Sequence, residues 1–203
     1  AEPGVPGNWW ENNPDPCEYK LRAPIFHYIR ILRISWEVIK GLAPEDFIVV
    51  SGIGYPSFLD ALLRNTDNPN GGGVTAEFPL KGGAYFDVMG YHAYPHFDGS
   101  LRYWDNSSQS FAYKRHSDAA ARGLIESQEL FRQVLNQYGY DGLTYPRKHW
   151  MITECNVPRK AFSDYIGSDD AQRNFVSKAS ILCQINNILQ LHIYKIGEEA
   201  EYD

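Results

Sequence analysis

The sequence predicts an α/β fold, a parallel sheet with helices packed on it, and two observations point there. Segments with helical spacing of apolar residues alternate with short apolar runs fit for buried strands. Polar and aromatic residues crowd the C-terminal ends of those runs. Ile25, Ile29, Leu32, Trp36 and Ile39 recur at steps of four and three, one face of a helix that Gly41 and Pro44 end. Phe47–Ser51 (FIVVS) reads as a strand buried on both sides. Pro56–Arg64 reads as a short helix with Pro in its opening turn. Asn65–Gly83, rich in Gly, Asn and Pro, is loop, and Tyr85–Tyr94 is the next strand. Gly99–Ser117 is a long polar and aromatic connection.

Asp118–Tyr138 is a long helix whose inner side carries Leu124, Phe131, Val134, Leu135 and Tyr138. His149–Glu154 (HWMITE) is a strand, Ser168–Leu189 a helix capped by Ser168 or Asp169, and Leu191–Tyr194 (LHIY) a final strand. The order is helix, then strand-helix three times, then strand, with neither an internal repeat nor a domain linker. All 203 residues are therefore read as one domain. Four parallel strands suit either half of an eight-stranded barrel or most of a small doubly wound sheet. Barrels place their chemistry at the C-terminal strand ends. Here those ends carry Ser51 and Tyr55, His92 and Tyr94, Glu154 and Asn156, and His192 and Tyr194, a convergence that favours a barrel with a site.

Composition narrows the partners. A net charge of −6 disfavours nucleic acid, because phosphate neutralisation needs a basic face and no Lys/Arg run exists. No apolar run reaches the ~20 residues that span a bilayer. Aromatics reach 14%, which serves a core and equally serves sugar binding, since aromatic faces stack on the C–H faces of pyranose rings. Cys17, Cys155 and Cys183 lack metal-ligand spacing and read as buried thiols, Cys155 on the opposite face of its strand from Glu154. Asp98, Asp105 and Asp118 also lack ligand spacing, so neither metal nor cofactor is expected. The opening Ala1-Glu2-Pro3-Gly4 has no initiator Met and reads as the start of a mature or trimmed chain.

The chemistry centres on Trp150–Asn156 (WMITECN). A carboxylate ending an apolar strand is costly unless it has partners or a task. Glycoside hydrolysis needs two carboxyl groups, one to attack the anomeric carbon and one to protonate the leaving oxygen. Glu154 suits the first role, and Glu2, just before a loop with Trp9 and Trp10, is the candidate for the second. His92 and Tyr94, two apart on one strand, face the same way. Trp104, beside Tyr103 in the long connection, is a candidate groove residue.

Taken together, these motifs resemble the clan A glycoside hydrolases, nearest the β-xylosidase/α-iduronidase-like branch. In that group the acid/base Glu ends the fourth strand, usually as Asn-Glu-Pro, before a Trp-bearing loop, a Tyr that begins the fourth helix and an Ile-Lys near its end. Glu2-Pro3, Trp9-Trp10, Tyr19 and Ile39-Lys40 stand in that order here. Asp87, His92 and Tyr94 match its sixth-strand Asp-x-x-x-x-His-x-Tyr pattern, and Thr153, Glu154 and Asn156 its seventh-strand Thr-Glu-x-Asn motif. Ala1 replaces the usual Asn, and His192 and Tyr194 stand where strand eight brings a Trp.

The resemblance covers the whole chain. It implies the C-terminal half to two-thirds of a (β/α)8 TIM barrel, running from the end of strand four to strand eight. The first three strands are then expected from the same or another chain. It also implies retaining hydrolysis of β-glycosidic bonds in a poly- or oligosaccharide, with Glu154 as nucleophile and Glu2 as acid/base. His92, Tyr94, Asn156, Trp9, Trp10, Trp104, His192 and Tyr194 would bind substrate, and a secreted or periplasmic location would follow. The rival expectation is a catalytically inactive barrel that binds carbohydrate or serves as structure; a small α/β domain using Glu154 structurally is a third.

Overall fold

A computed structural model describes residues 25–95, 101–114, 116–161 and 167–194, side chains at 102 and 113 excepted. They divide into two compact units, one reaching to Met89 and resuming at Phe131–Lys148, the other comprising Gly90–Leu130 and the chain from His149.

In the first unit, helix α1 runs Ile25–Leu42 and helix α2 Pro56–Arg64. The α1 periodicity holds only in part. Ile25, Ile29 and Leu32 are buried, whereas Trp36 is half-buried under the Lys40 ammonium, 4.9 Å from its ring, and Ile39 is exposed. A second apolar stripe, Ile31, Ile34, Val38 and Leu42, lies 50–84% exposed. The predicted strand 47–51 shrinks to one parallel bridge, Val49 to Val88. Ser51 explains this: its φ of 51° is left-handed, a conformation that ends an extended run. Asp87 holds the bridge from the side. Its carboxylate accepts the Ile48 amide at 2.9 Å and pairs with Lys40 at 3.0 Å.

The Gly/Asn-rich segment 65–83 is loop up to a 3-10 turn at Gly82–Tyr85, so the strand predicted from Tyr85 starts later. Gly82 has no room for a side chain, since a Cβ would sit 2.6 Å from the Leu62 carbonyl oxygen. The loop is ordered by its own polar groups. Thr66 Oγ1 and Asn68 Nδ2 both donate to the Gly73 carbonyl, and Gly71 and Gly72 take positive φ to close the turn. Asp67, at 0% exposure, faces Arg33 at 2.8 Å and Arg30 at 3.6 Å and so ties the loop to α1. Lys148 Nζ donates to the Gly83 and Phe86 carbonyls between the Phe86 and Tyr140 rings, and burial pushes its pKa down to about 8.

The second unit holds the sheet. Strand β1 is Val88–Ala93, its last four residues in this unit, β4 is His149–Cys155 and β5 Ile188–Ile193; the strand order is β1-β4-β5. β4 and β5 run parallel, with irregularities after Trp150 and Ile152. The fold is therefore α/β with a parallel sheet whose strands lie in chain order, as expected. Between β1 and β4, where the sequence predicts a polar and aromatic connection, the chain forms a second, two-stranded sheet. Strands β2 (Arg102–Asp105) and β3 (Ser110–Tyr113) pair antiparallel as a hairpin. Helix α3 follows at His116–Gln137, opening two residues before the predicted Asp118. Leu124, Phe131 and Leu135 are buried as expected, Val134 and Tyr138 half-buried.

Helix α4 is Asp169–Ile185, capped by Ser168, whose hydroxyl accepts the Ala171 amide. It ends four residues before the predicted Leu189 because the chain turns at Asn186 and a left-handed Asn187 (φ 55°), so β5 opens at Ile188 rather than Leu191. The core of this unit gathers Tyr91, Leu124, Ile152, Cys155, Phe175 and Ala179. Tyr91 buries its hydroxyl against the Leu124 carbonyl at 2.9 Å, which satisfies the polar end of a buried ring. Among the described residues, no helix is long and apolar enough to cross a membrane.

The Asp67 cluster generates a stability prediction. Removing the buried carboxylate leaves two guanidinium groups without their charge partner, at a cost of about 3 kcal/mol, the low end for such pairs because both arginines reach solvent. Asp67→Ala should lower the unfolding free energy by that amount in urea titration. A loss under about 0.5 kcal/mol, the scale of an ordinary surface change, would show that the cluster does not hold the loop.

Candidate active site

Glu154 is the penultimate residue of β4, and the second unit builds its surroundings from the ends of β1 and β4. Side chains alternate along a strand, so His92 and Tyr94 share a face, and both reach Glu154. Tyr94 donates its hydroxyl to Glu154 Oε2 at 3.0 Å, and His92 Nδ1 lies 3.5 Å from the same oxygen. Both contacts fall on Oε2. Glu154 and His92 are each 34% exposed at the side chain, partly desolvated and still accessible.

The Tyr94 hydroxyl is pushed well above the ordinary phenol range, by burial first, then by its hydrogen bond to Glu154 and the nearby carboxylate charge. It therefore remains a proton-bearing donor at any working pH. Tyr194, just past β5, is close enough to add to that shift, and the residue is 55% exposed. Thr153, on the other face of β4 from Glu154, donates to the Tyr91 carbonyl at 3.1 Å and locks β4 onto β1.

The remaining sequence candidates separate. Asn156 Nδ2 donates to the Tyr194 carbonyl at 3.0 Å, while its Oδ1 accepts from Val157 N and Gln172 Nε2. Asn156 is thus a brace between β4 and the chain after β5. Gln172 completes the brace by also donating to the Val157 carbonyl, and nothing in the sequence singled it out. His192 is exposed and bonds Gln190 Oε1 at 3.0 Å, two residues away on its own strand; the structure does not bring it to Glu154. Trp104 stands on the β2–β3 hairpin, 48% exposed. Glu2, Trp9 and Trp10 lie outside the described residues. Ser51 and Tyr55 belong to the first unit, where Ser51 bonds the Tyr28 hydroxyl.

No group of three or more potential metal ligands occurs among the described residues. Cys155 alternates with Glu154 to the buried side of β4, at 0% exposure, where burial pushes its thiol up to about 12. Cys183 is pushed up to about 11 by the same cause. A buried thiol that keeps its proton is a poor nucleophile. What the arrangement can do is hold a strand-end carboxylate, one oxygen of it fixed by a phenol and an imidazole, with the side chain still 34% exposed. That suits attack on an electrophilic carbon.

No family model matches the chain, and no curated protein matches it. Among solved structures, it is similar to the glycoside hydrolase family 17 beta-1,3-glucanosyltransferase from Rhizomucor miehei, with a TM-score of 0.57 and 12% identity. The match covers 92% of this chain and 52% of that one, so the chain spans about half the length of that enzyme. At this identity the likeness is one of fold. It is to a clan A, TIM-barrel glycosidase, and it carries nothing about the β-xylosidase/α-iduronidase-like branch.

The thiol environment can be checked directly. A thiol at about 12 carries roughly a thousandth of the thiolate of an ordinary cysteine near pH 8. Iodoacetamide at pH 8 should leave the Cys155 and Cys183 peptides unlabelled in the native protein and label both once urea unfolds it. Rapid native labelling at Cys155 would contradict the buried placement.

Proposed function

We propose that the protein is a retaining glycoside hydrolase of β-glycosidic bonds, with Glu154 as nucleophile. The observation that carries the reading is the convergence of Tyr94 and His92 on Glu154 Oε2 at the ends of β1 and β4. The fold likeness to a glycoside hydrolase supports it. In the first step Glu154 Oε1 bonds the anomeric carbon, the bond from that carbon to the leaving oxygen breaks, and that oxygen takes a proton from Glu2. In the second, water attacks the same carbon, its proton passes to Glu2, and the Glu154 ester bond breaks. Two inversions give retention, which calls for a carboxyl separation of about 5–5.5 Å. Tyr94 keeps its proton throughout and stabilises the carboxylate before attack and after release.

For the substrate we favour a β-linked glucan, because the structural neighbour is named as a beta-1,3-glucanosyltransferase. In an enzyme of that kind a sugar hydroxyl takes the place of water in the second step, so transfer and hydrolysis are alternative fates of one intermediate. Action on a polysaccharide fits a secreted or periplasmic location. Tyr194 and the Trp9-Trp10 segment complete the sugar-binding set in this reading, Asn156 serves it as the brace that holds the Tyr194 carbonyl, and His192 is its weakest member because it bonds Gln190.

The reading includes a partial barrel. The exposed α1 stripe of Ile31, Ile34, Val38 and Leu42 and the exposed Leu189 on β5, the last strand of the described sheet, are apolar surfaces that the remaining βα units of a barrel would cover. Those units come from the same or another chain. The competing reading, a barrel that binds carbohydrate without turnover, draws on Ala1 standing before Glu2 where an Asn is usual.

Two substitutions test the proposal on aryl β-glycosides and β-glucan oligomers. Glu154→Gln keeps shape and removes the nucleophile, so turnover should fall by about 10³-fold or more with folding intact. Tyr94→Phe removes one hydrogen bond to a charged group, worth about 1.5–3 kcal/mol, so kcat/KM should fall about 10- to 100-fold. Full activity in Glu154→Gln would overturn the nucleophile. Sugar binding without turnover in the wild type would favour the competing reading.

A further inference from the structure

We infer that Gln172 is a positioning residue of the proposed site: it holds the Asn156 amide as a wedge between β4 and the chain after β5, and that wedge sets where Tyr194 stands. The inference rests on the glycosidase reading, in which Tyr194 meets the sugar, and deepens it by naming what places that residue. The β4–β5 pairing ends at Cys155 and Ile193, and the Tyr194 amide still donates to the Cys155 carbonyl at 3.0 Å. A regular parallel ladder would next send the Val157 amide to the Tyr194 carbonyl. Here the Asn156 side chain stands between them. The Val157 amide donates to Asn156 Oδ1 at 2.9 Å, and Asn156 Nδ2 donates to the Tyr194 carbonyl at 3.0 Å. One side-chain amide thus relays, two residues after Glu154, a bond that two backbones would otherwise make directly.

Backbone chemistry dictates the orientation of each group in this relay. Val157 is 1% exposed, so its amide needs an acceptor, and the Asn156 atom facing it must be the oxygen. The Asn156 nitrogen then faces the Tyr194 carbonyl, which only a donor satisfies. Gln172 meets two acceptors, Asn156 Oδ1 at 3.3 Å and the Val157 carbonyl at 3.2 Å, so Nε2 is the atom required there. Gln172 is itself fixed by the start of α4. Its backbone amide donates to the Ser168 carbonyl at 3.0 Å, in the turn that Ser168 caps. Arg159, two residues past Val157, pairs with Asp169 of the same turn at 2.7 Å. The chain leaving β4 is therefore moored to the first turn of α4 at two points.

Tyr194 takes its place from that mooring. More than half of the residue is in water, whereas both of its backbone polar groups are tied to the two residues that follow Glu154. Its phenol is near enough to that of Tyr94 to help raise it, so Tyr194 stands close to the group that donates to Glu154. Withdrawing the Gln172 donor frees the Asn156 amide to turn, and the Tyr194 carbonyl then loses its partner. Glu154 keeps Tyr94 and His92 in that event, because both reach it from β1. The effect falls on how the sugar is held rather than on the carboxylate chemistry.

The test is a double-mutant cycle on the full chain, read as kcat and KM on β-glucan oligomers. Gln172→Met keeps the length of the side chain and removes the donor, so KM should rise about 2- to 10-fold with kcat held within about twofold. In a Tyr194→Ala background the same substitution should cost nothing further, since the two residues act as one unit. Gln172→Glu has the same shape but presents a carboxylate to two acceptors, and should raise KM at least as much. Circular dichroism verifies that each variant is folded. Amide exchange by NMR reads the wedge without turnover: Gln172→Met should speed exchange at Val157 and Tyr194 about 2- to 10-fold. Wild-type KM in both Gln172 variants, losses that simply add in the double variant, or unaltered exchange at these two amides would overturn the inference. A wild-type chain that turns over no glycoside, with exchange still accelerated in Gln172→Met, would leave Gln172 as the residue that places Tyr194 and remove only the catalytic reading.

Discussion

The hydrogen bond from Tyr94 to Glu154, with His92 on the same carboxylate oxygen, is the constraint on which the site depends. A carboxylate at the end of an apolar strand loses hydration and must recover it from its neighbours. The neighbours come from the adjacent strand, so the pairing of β1 with β4 and the register of both strands are prerequisites of this arrangement. Thr153, on the other face of β4, bonds the β1 backbone and fixes that register. One strand thus supplies the carboxylate and the lock that places its partners.

Much of this was legible because it lies in strict local patterns. The two-residue spacing of His92 and Tyr94 implies a shared face, and the apolar run before Glu154 implies a buried strand that ends on a polar task. Ser168 ahead of two aspartates announces a helix start, and it caps α4 as read. The rest depended on backbone states that composition does not encode. Ser51 turns left-handed and reduces a β-rich run to one bridge. The β2–β3 hairpin was hidden because its turn, Asn106 to Gln109, lacks the Asn-Gly or Asp-Gly pair that marks tight hairpins, and relies on Asp105 and serine hydroxyls. His192 shares a strand-end position with the other candidates, and only the structure shows it bonded to Gln190.

The exposed apolar surfaces carry the larger architectural message. On α1 one stripe faces the core and a second, of four large aliphatic side chains, faces water. Burying such a side chain is worth about 1.5–3 kcal/mol, so a stripe of this kind is an unspent source of association.

The central claim is that Glu154 forms a covalent bond to the sugar, and the most direct measurement is to trap it. An activated 2-deoxy-2-fluoro β-glycoside slows both steps but lets its good leaving group depart, so the ester intermediate accumulates. Peptide mass spectrometry after incubation should find one fluoro-sugar on the peptide bearing Glu154 and none in the Glu154→Gln variant. Label on a different carboxylate, or none on a chain that hydrolyses the unfluorinated glycoside, would contradict the account.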